Sequence, residues 1–231
     1  MKDEDYDQEA ARHYAAYRPP LHAAILALGL KDEERFGQAL DVGCGTGNST
    51  HALRAWCPNV IGTDPSMAMI ERTKALPGVS FRHQPGEDID AGLDGTTFDL
   101  ITFAGSLFYL HNPVVLTSLK GLLVPGATVI VYDFDVLLQP VFNLLGVSMP
   151  RSDYDHAKNL SDVASNVLHL MKTAVEDISF VLNATQLAHL LFSVSSWRKG
   201  PLANYEFSQL VHLLPKTTTL KAKTWLTRYA F

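Results

Sequence analysis

Leu40-Asp41-Val42-Gly43-Cys44-Gly45-Thr46-Gly47-Asn48 holds a strand end, a turn and a helix start in nine residues. Residues 39–42 form a short apolar run that predicts a buried strand stopping at Gly43, and residues 48–56 predict a helix. Glycines at 43, 45 and 47 let the backbone turn sharply and let a ligand approach where a Cβ would stand. Val60-Ile61-Gly62 predicts a second strand closed by Asp64, whose carboxylate can accept two ribose hydroxyl hydrogen bonds. The spacing Gly43-x-Gly45-x-Gly47 is not the Gly-x-Gly-x-x-Gly of dinucleotide sites. Asp41, just before the first glycine, would repel a pyrophosphate but suits a ligand with an ammonium group. The expected ligand therefore joins an amino acid moiety to an adenosine. A P-loop is excluded, because the turn has no Gly-Lys-Ser/Thr ending.

On either side of this turn the chain alternates. Residues 79–83, 98–103 and 128–132 predict further strands, and residues 66–75 and 113–122 predict helices between them. Short apolar strands separated by amphipathic helices indicate a parallel sheet covered on both faces. Pro19-Pro20 predicts a helix over residues 21–29, since proline fits a first turn. After Asp135 the rhythm breaks. Residues 136–172 read as a helical, apolar insertion interrupted by Pro140, Gly146 and Pro150, at the sheet edge where ligands bind. Residues 177–182 then predict a strand, 186–192 and 205–214 helices, and 220–229 a final antiparallel strand.

The chain has 231 residues, 47% hydrophobic and 19% charged, which predicts one domain with a substantial core. A net charge of -5 argues against extended nucleic acid as a partner. Two cysteines, Cys44 and Cys57, make no disulfide framework and fit a reducing cytoplasm. The start, Met1-Lys2-Asp3-Glu4-Asp5, is too acidic for a signal peptide, and no apolar run is long enough to span a membrane. No HExxH or HxH cluster points to a metal. The oligomeric state is left open by the sequence.

Leu40 to Gly47 resembles the first motif of class I S-adenosylmethionine-dependent methyltransferases, and Gly62-Thr63-Asp64-Pro65-Ser66 resembles their second. Phe98-Asp99-Leu100-Ile101 is similar to that family's fourth strand, and Leu122-Leu123-Val124-Pro125-Gly126-Ala127 to its turn into the fifth. The resemblance covers roughly residues 10–135. It implies an α/β fold, a Rossmann-like doubly wound, seven-stranded, mostly parallel sheet with helices on both faces and a helical cap. Residues 1–231 would form one domain, with residues 1–30 as the cap segment and 136–172 as the insertion after strand five. The implied cofactor is S-adenosyl-L-methionine. Asp41, Gly43, Cys44, Gly45 and Gly47 would lie beside its methionine part, Asp64 and Pro65 by the ribose, and Ala104 near the methyl donor. The family's third motif departs here: Pro85 stands where an Asp is usual, so adenine is expected at Gly86, Gln84 or Glu87.

Tyr14-Ala15-Ala16-Tyr17-Arg18-Pro19-Pro20 resembles the N-terminal segment of trans-aconitate methyltransferase-like proteins. If helical to the proline pair, Tyr14 and Arg18 share a face and close over the cofactor. Arg18 could grip the methionine carboxylate or a substrate carboxylate, because its fork matches two oxygens. After strand four, Phe108-Tyr109 occupies the family's Ala-x-His-Trp-like position without its histidine, and His111 lies further on. His111, Tyr109 and Tyr17 are the candidate proton acceptors. Tyr109, Trp197 and Arg198 are candidate substrate contacts, and Asp133 and Asp135, on alternate positions, share a side. The function expected is methyl transfer to a small molecule, the favoured acceptor a carboxylate. The alternatives are N- or O-methylation of a larger apolar metabolite and a non-catalytic cofactor-binding protein.

Overall fold

The computed structural model describes residues 7–84, 89, 93, 95–110, 113–162 and 166–231. Two helices, α1 (Gln8–Ala16) and α2 (His22–Gly29), precede a βα alternation. It runs β1 (Gln38–Val42), α3 (Asn48–Ala52), β2 (Asn59–Asp64), α4 (Met67–Ile70) and β3 (Val79–His83). There follow β4 (Phe98–Ala104), α5 (Leu107–Leu110), α6 (Pro113–Leu122) and β5 (Leu123–Val136). The remainder is α7 (Gln139–Leu144), β6 (His169–Asn183), α8 (Ala184–Phe192), α9 (Ser195–Lys199), α10 (Phe207–Leu213) and β7 (Thr217–Ala230).

Among the described residues the strands make one seven-stranded sheet, ordered β3-β2-β1-β4-β5-β7-β6. The first five are parallel, while β7 runs antiparallel between β5 and β6. The order reverses at β1 and β4, so their carboxyl ends flank the crevice in which an open α/β sheet takes its ligand. Alternation puts neighbours on opposite faces. Val129 and Val131 join Leu40, Val42, Ile101 and Phe103 in one core, while Ile130 and Tyr132 join Ile25, Leu26, Leu187 and Leu191 in the other. Asn183 and Gln186 start α8 with a reciprocal capping box, holding its apolar stripe on the second core.

The C-terminal third departs from expectation. Within residues 136–172 the helix among the described residues is α7 alone, since Pro140 sits at its start and Gly146, at φ +66°, ends it. Among the described residues, the segment after it is irregular up to β6. β6 is longer than the expected 177–182 because it pairs with β7 along its length; its first part is mostly solvent-exposed, and alternation between buried and exposed residues is confined to Ile178–Asn183. β5 likewise outruns residues 128–132, extended by its pairing with β7 as far as Val136. The helices expected at 48–56 and 66–75 are shorter, α3 passing into a 3-10 turn at Leu53–Ala55 and α4 covering only Met67–Ile70.

Candidate functional site

The glycine turn is held from below and from both sides. Gly43, Gly45 and Gly47 have φ of +74°, +55° and +89°, a region that side chains with a Cβ rarely enter. A Cβ on Gly43 would stand 2.4 Å from Cβ of Ser106, and one on Gly47 would stand 2.7 Å from the Phe81 ring. Over Gly45 the nearest atoms belong to Tyr14, whose ring lies 3.8 Å from where a Cβ would be. The amides of Gly43 and Cys44 both donate to the Thr63 carbonyl, at 2.8 and 2.9 Å, tying the turn to β2. Ser106 donates its hydroxyl to the Val42 carbonyl, tying it to the end of β4.

Two carboxylates serve this turn differently. Asp64 ends β2 and accepts the Gly45 amide on one oxygen and the Ser66 amide on the other, both at 2.8 Å. Burial raises its pKa despite those two amides. Asp41, expected beside the cofactor, is buried beneath the turn. β1 sets it opposite Thr102 of β4, and it is fully buried. Ser49, Thr50 and Thr102 donate their hydroxyls to it at 2.5, 2.7 and 2.9 Å. It is a brace beneath the turn rather than a surface of it. Burial raises its pKa too, and the three hydroxyls oppose the rise. The Cys44 thiol is buried and pushed well above its usual range by burial and by Asp41 and Asp64, so it is inert.

α1 carries the near wall. It ends at Ala16, and Tyr17 is extended, so Tyr14 and Arg18 do not share a helical face as expected. They meet by stacking instead: the Arg18 guanidinium lies 4.2 Å from the Tyr14 ring centre and 5.6 Å from that of Phe134. The Arg18 Nε is buried without a hydrogen-bond partner. Tyr17 is half-buried against the second core, and burial raises its pKa.

The α9 residues expected on substrate are instead fastening this wall. Arg198 pairs with Asp7 at 2.8 Å and with Glu9, and Lys199 reaches Asp7 at 3.0 Å. Arg198 is thus committed to α1 by charge pairing, and Trp197 packs edge-on against Phe142 at 5.3 Å in the core. His13, on the buried side of α1, meets His189 at 2.9 Å and packs against Phe192 and Phe207. Burial, with Arg12, His189 and Arg198 nearby, pushes its pKa down to about 4.

The far wall begins one residue from Ser106. Gly105 donates its amide to Tyr132, and its carbonyl accepts the Tyr154 hydroxyl at 2.7 Å. A Cβ on Gly105 would stand 3.0 Å from Asp133 Oδ1. Tyr154 packs against Phe108 at 4.6 Å and Tyr109 at 5.5 Å. Gly105, Phe108, Asp133 and Tyr154, with Val131, His156 and Lys158, border a small open hollow with room for about one water molecule. His156 Nδ1 lies 3.0 Å from Asp133, and Nε2 lies 3.9 Å from Asp135. The sequence offered Asp133 and Asp135 only as a shared side; nothing around Tyr154-Asp155-His156 marked their partner. Of the other expected contacts, Ala104 closes β4 opposite Tyr132, and the Pro65 carbonyl accepts from His83 at 2.8 Å. Gly86, Glu87 and His111 lie outside the described residues. Among the described residues no helix is long and apolar enough to cross a membrane.

Residues 39–126 match a protein-family profile described as "Methyltransferase domain". The chain is 37% identical over 117 residues to trans-aconitate 2-methyltransferase of Methylobacterium radiotolerans, which covers 46% of this chain and 42% of that relative. Over 156 residues it is 28% identical to malonyl-acyl-carrier-protein O-methyltransferase of Haemophilus ducreyi, covering 63% of this chain and 58% of the relative. It spans about half the length of the curated relatives it matches. A structure assigned as a type II methyltransferase from Anaeromyxobacter dehalogenans aligns with a TM-score of 0.60 at 20% identity, over 93% of this chain and 96% of that one.

Proposed function

We propose that this chain, whose residues 39–126 match a methyltransferase-domain profile, is a class I S-adenosylmethionine-dependent methyltransferase that catalyses methyl transfer to a small-molecule acceptor. The observation that carries the reading is the cradle at the sheet's switch point: a turn with three positive-φ glycines, Asp64 beside it, and Tyr14 lying over Gly45. The residues fit a ligand with an adenosine at one end and an amino acid at the other. Asp64, at the end of β2 with Pro65 beside it, is proposed to accept the two ribose hydroxyls. Gly43, Gly45, Gly47 and Cys44 offer backbone along the ligand, and Ala104 ends β4 next to it. Gly86 and Glu87 are proposed for adenine. Bound S-adenosylmethionine would supply a methyl group already activated on a sulfonium. The chain's own work is then to align that group with its acceptor and to exclude water.

Arg18 is the cation for a carboxylate. Its Nε is buried and unpartnered, and Tyr14 and Phe134 hold the guanidinium in place. An acceptor that carries a carboxylate for recognition is supported by Arg18 and by similarity to a trans-aconitate 2-methyltransferase. The methionine carboxylate of the cofactor is an equal claimant on the same fork. Two free, buried cysteines support a reducing, cytoplasmic setting.

The test is titration with S-adenosylhomocysteine, followed by methyl transfer from labelled S-adenosylmethionine into a pooled metabolite extract. Binding with transfer is expected. Tight binding without transfer to any metabolite would favour the non-catalytic reading, and preference for NAD would overturn both. Arg18→Lys separates the two carboxylates: lost cofactor affinity assigns the fork to methionine, whereas lost turnover with intact affinity assigns it to the acceptor.

A further inference from the structure

We propose that His156 is the catalytic base of the transfer and that the acceptor is an amine or a hydroxyl, whose proton His156 removes. The inference rests on the methyltransferase reading above and names the acceptor chemistry of that same site. Its ground is the arrangement around one imidazole. Asp133 accepts the Phe134 amide on Oδ1 at 2.7 Å and faces His156 Nδ1 with Oδ2 at 3.0 Å. A carboxylate only accepts, so Nδ1 carries a hydrogen; Nε2, 3.9 Å from Asp135 and beyond hydrogen-bond reach of it, holds the lone pair when the ring is neutral. The ring is held flat by Trp225 of β7, stacked at 5.6 Å and 9°, and flanked by Tyr154 at 4.6 Å. Tyr154 is itself fastened to the Gly105 carbonyl. A histidine oriented by a carboxylate, braced by aromatic rings and bordering an open hollow has the parts of a general base.

Position supports the assignment. Gly105 carries Asp133 against one side, while its neighbour Ser106 fills the space beside Gly43. The dyad and the cofactor cradle therefore meet along one edge, at the carboxyl ends of β1, β4 and β5. The charges also select among acceptors. Asp133 and Asp135 of β5 and Asp155 beside His156 make this rim acidic, and Lys158 is the cation on the hollow. Lys223 of β7 lies over the Trp225 ring at 5.3 Å. An acidic rim repels a carboxylate as the reacting group and tolerates a neutral or cationic one. Burial works to lower the His156 pKa, but the hydrogen bond and charge of Asp133, with Asp135 and Asp155, outweigh it and raise the value.

In the step itself the acceptor's N–H or O–H proton passes to Nε2, giving an imidazolium that Asp133 stabilises through Nδ1. The acceptor's lone pair forms the new bond to the methyl carbon. The carbon–sulfur bond breaks, its electron pair stays on sulfur, and S-adenosylhomocysteine leaves as a neutral thioether at sulfur. Asp133 is a positioning residue, because it acts only through the ring.

The full chain is assayed for S-adenosylhomocysteine formation against a panel of primary amines, phenols, alcohols and carboxylic acids, from about pH 6 to 9. Turnover is expected on amines or hydroxyl compounds, with kcat/KM rising through the His156 titration to a plateau. H156Q should lose about a hundredfold in kcat/KM and the rising limb with it, while S-adenosylhomocysteine affinity is unchanged. D133N should lower kcat more than it changes KM and move the limb to lower pH, a shift that a purely structural role would not produce. Turnover confined to carboxylic acids, or an H156Q profile matching wild type, overturns the inference and leaves the methyltransferase reading standing. Wild-type protein that binds no S-adenosylhomocysteine overturns both.

Discussion

Gly105 and Ser106 are adjacent, yet the two walls that meet at them are built by opposite means. On the Ser106 side the glycine turn is held by exclusion: Gly43 and Gly47 fit because no Cβ is there, and Asp41 braces the floor through three hydroxyls. On the Gly105 side the wall is held by side chains reaching over long separations, Tyr154 to Gly105 and His156 to Asp133. The first wall is rigid, and a single added atom should damage it. The second is an assembly of hydrogen bonds and ring contacts, whose parts can be changed singly at moderate cost. The difference suits their tasks, since a cofactor cradle needs fixed shape and a proton acceptor needs a defined tautomer.

The largest expected effect tests the exclusion side. Gly43→Ala places a methyl 2.4 Å from Cβ of Ser106 at φ +74°. A left-handed conformation costs about 1–2 kcal/mol, and overpacking adds a similar amount, so a loss of about 3 kcal/mol is expected. A urea midpoint indistinguishable from wild type would show that the turn yields, and the contrast between the walls would collapse. Asp64→Ala comes next. It removes the acceptor of two amides and the proposed ribose contact, so S-adenosylhomocysteine affinity should fall by about 2 kcal/mol, roughly thirtyfold. Calorimetric titration reads it, and unchanged affinity in folded protein would remove Asp64 from the site. Tyr154→Phe tests the other wall and should cost about 1 kcal/mol of stability, the worth of one net hydrogen bond. A loss as large as that of Gly43→Ala would mean that the second wall is equally rigid.

The same contrast explains what could be read beforehand. The glycine wall is local in sequence: Asp41 to Thr50 and Gly62 to Asp64 carry both its turn and its carboxylates. Its spacing therefore announces it, and β1 to β4 fall close to where hydrophobic patterning puts them. Even there, the burial of Asp41 is not legible, because Thr102 becomes its partner only once β1 lies beside β4, and Ser49 and Thr50 only once α3 folds back over the end of β1. The second wall has no local signature. Asp133 and His156 are separated by α7 and an irregular stretch, and Trp225 comes from the last strand. β6 was underestimated because its partner strand, not its own burial, keeps it extended. Arg198 was read as free to meet a substrate because Asp7 and Glu9 lie at the other end of the chain.

The histidines make the finest comparison, and the smallest expected effect. His13 and His22 are buried among groups that disfavour charge, with pKa values pushed down to about 4 and about 3; burial is the main cause in both. The unfolded chain titrates these residues near 6.5 and so binds more protons than the folded one as pH falls below that value. Their contribution is complete above about pH 6.5 and is lost as pH drops toward 4. His156 runs the other way. Its pKa is raised, so its contribution is complete below about 6.5 and is lost as pH rises through the folded value. Its side chain is 28% exposed, and solvent screening keeps this limb shallower than the acid one. Thermal unfolding of wild type should therefore show a steep loss of stability on the acid side and a gentle one as pH rises above about 6.5. H156Q should flatten the gentle limb and leave the acid limb in place. If the gentle limb survives in H156Q, the Asp133 carboxylate does not hold His156 as a cation, and the two walls would differ in shape alone.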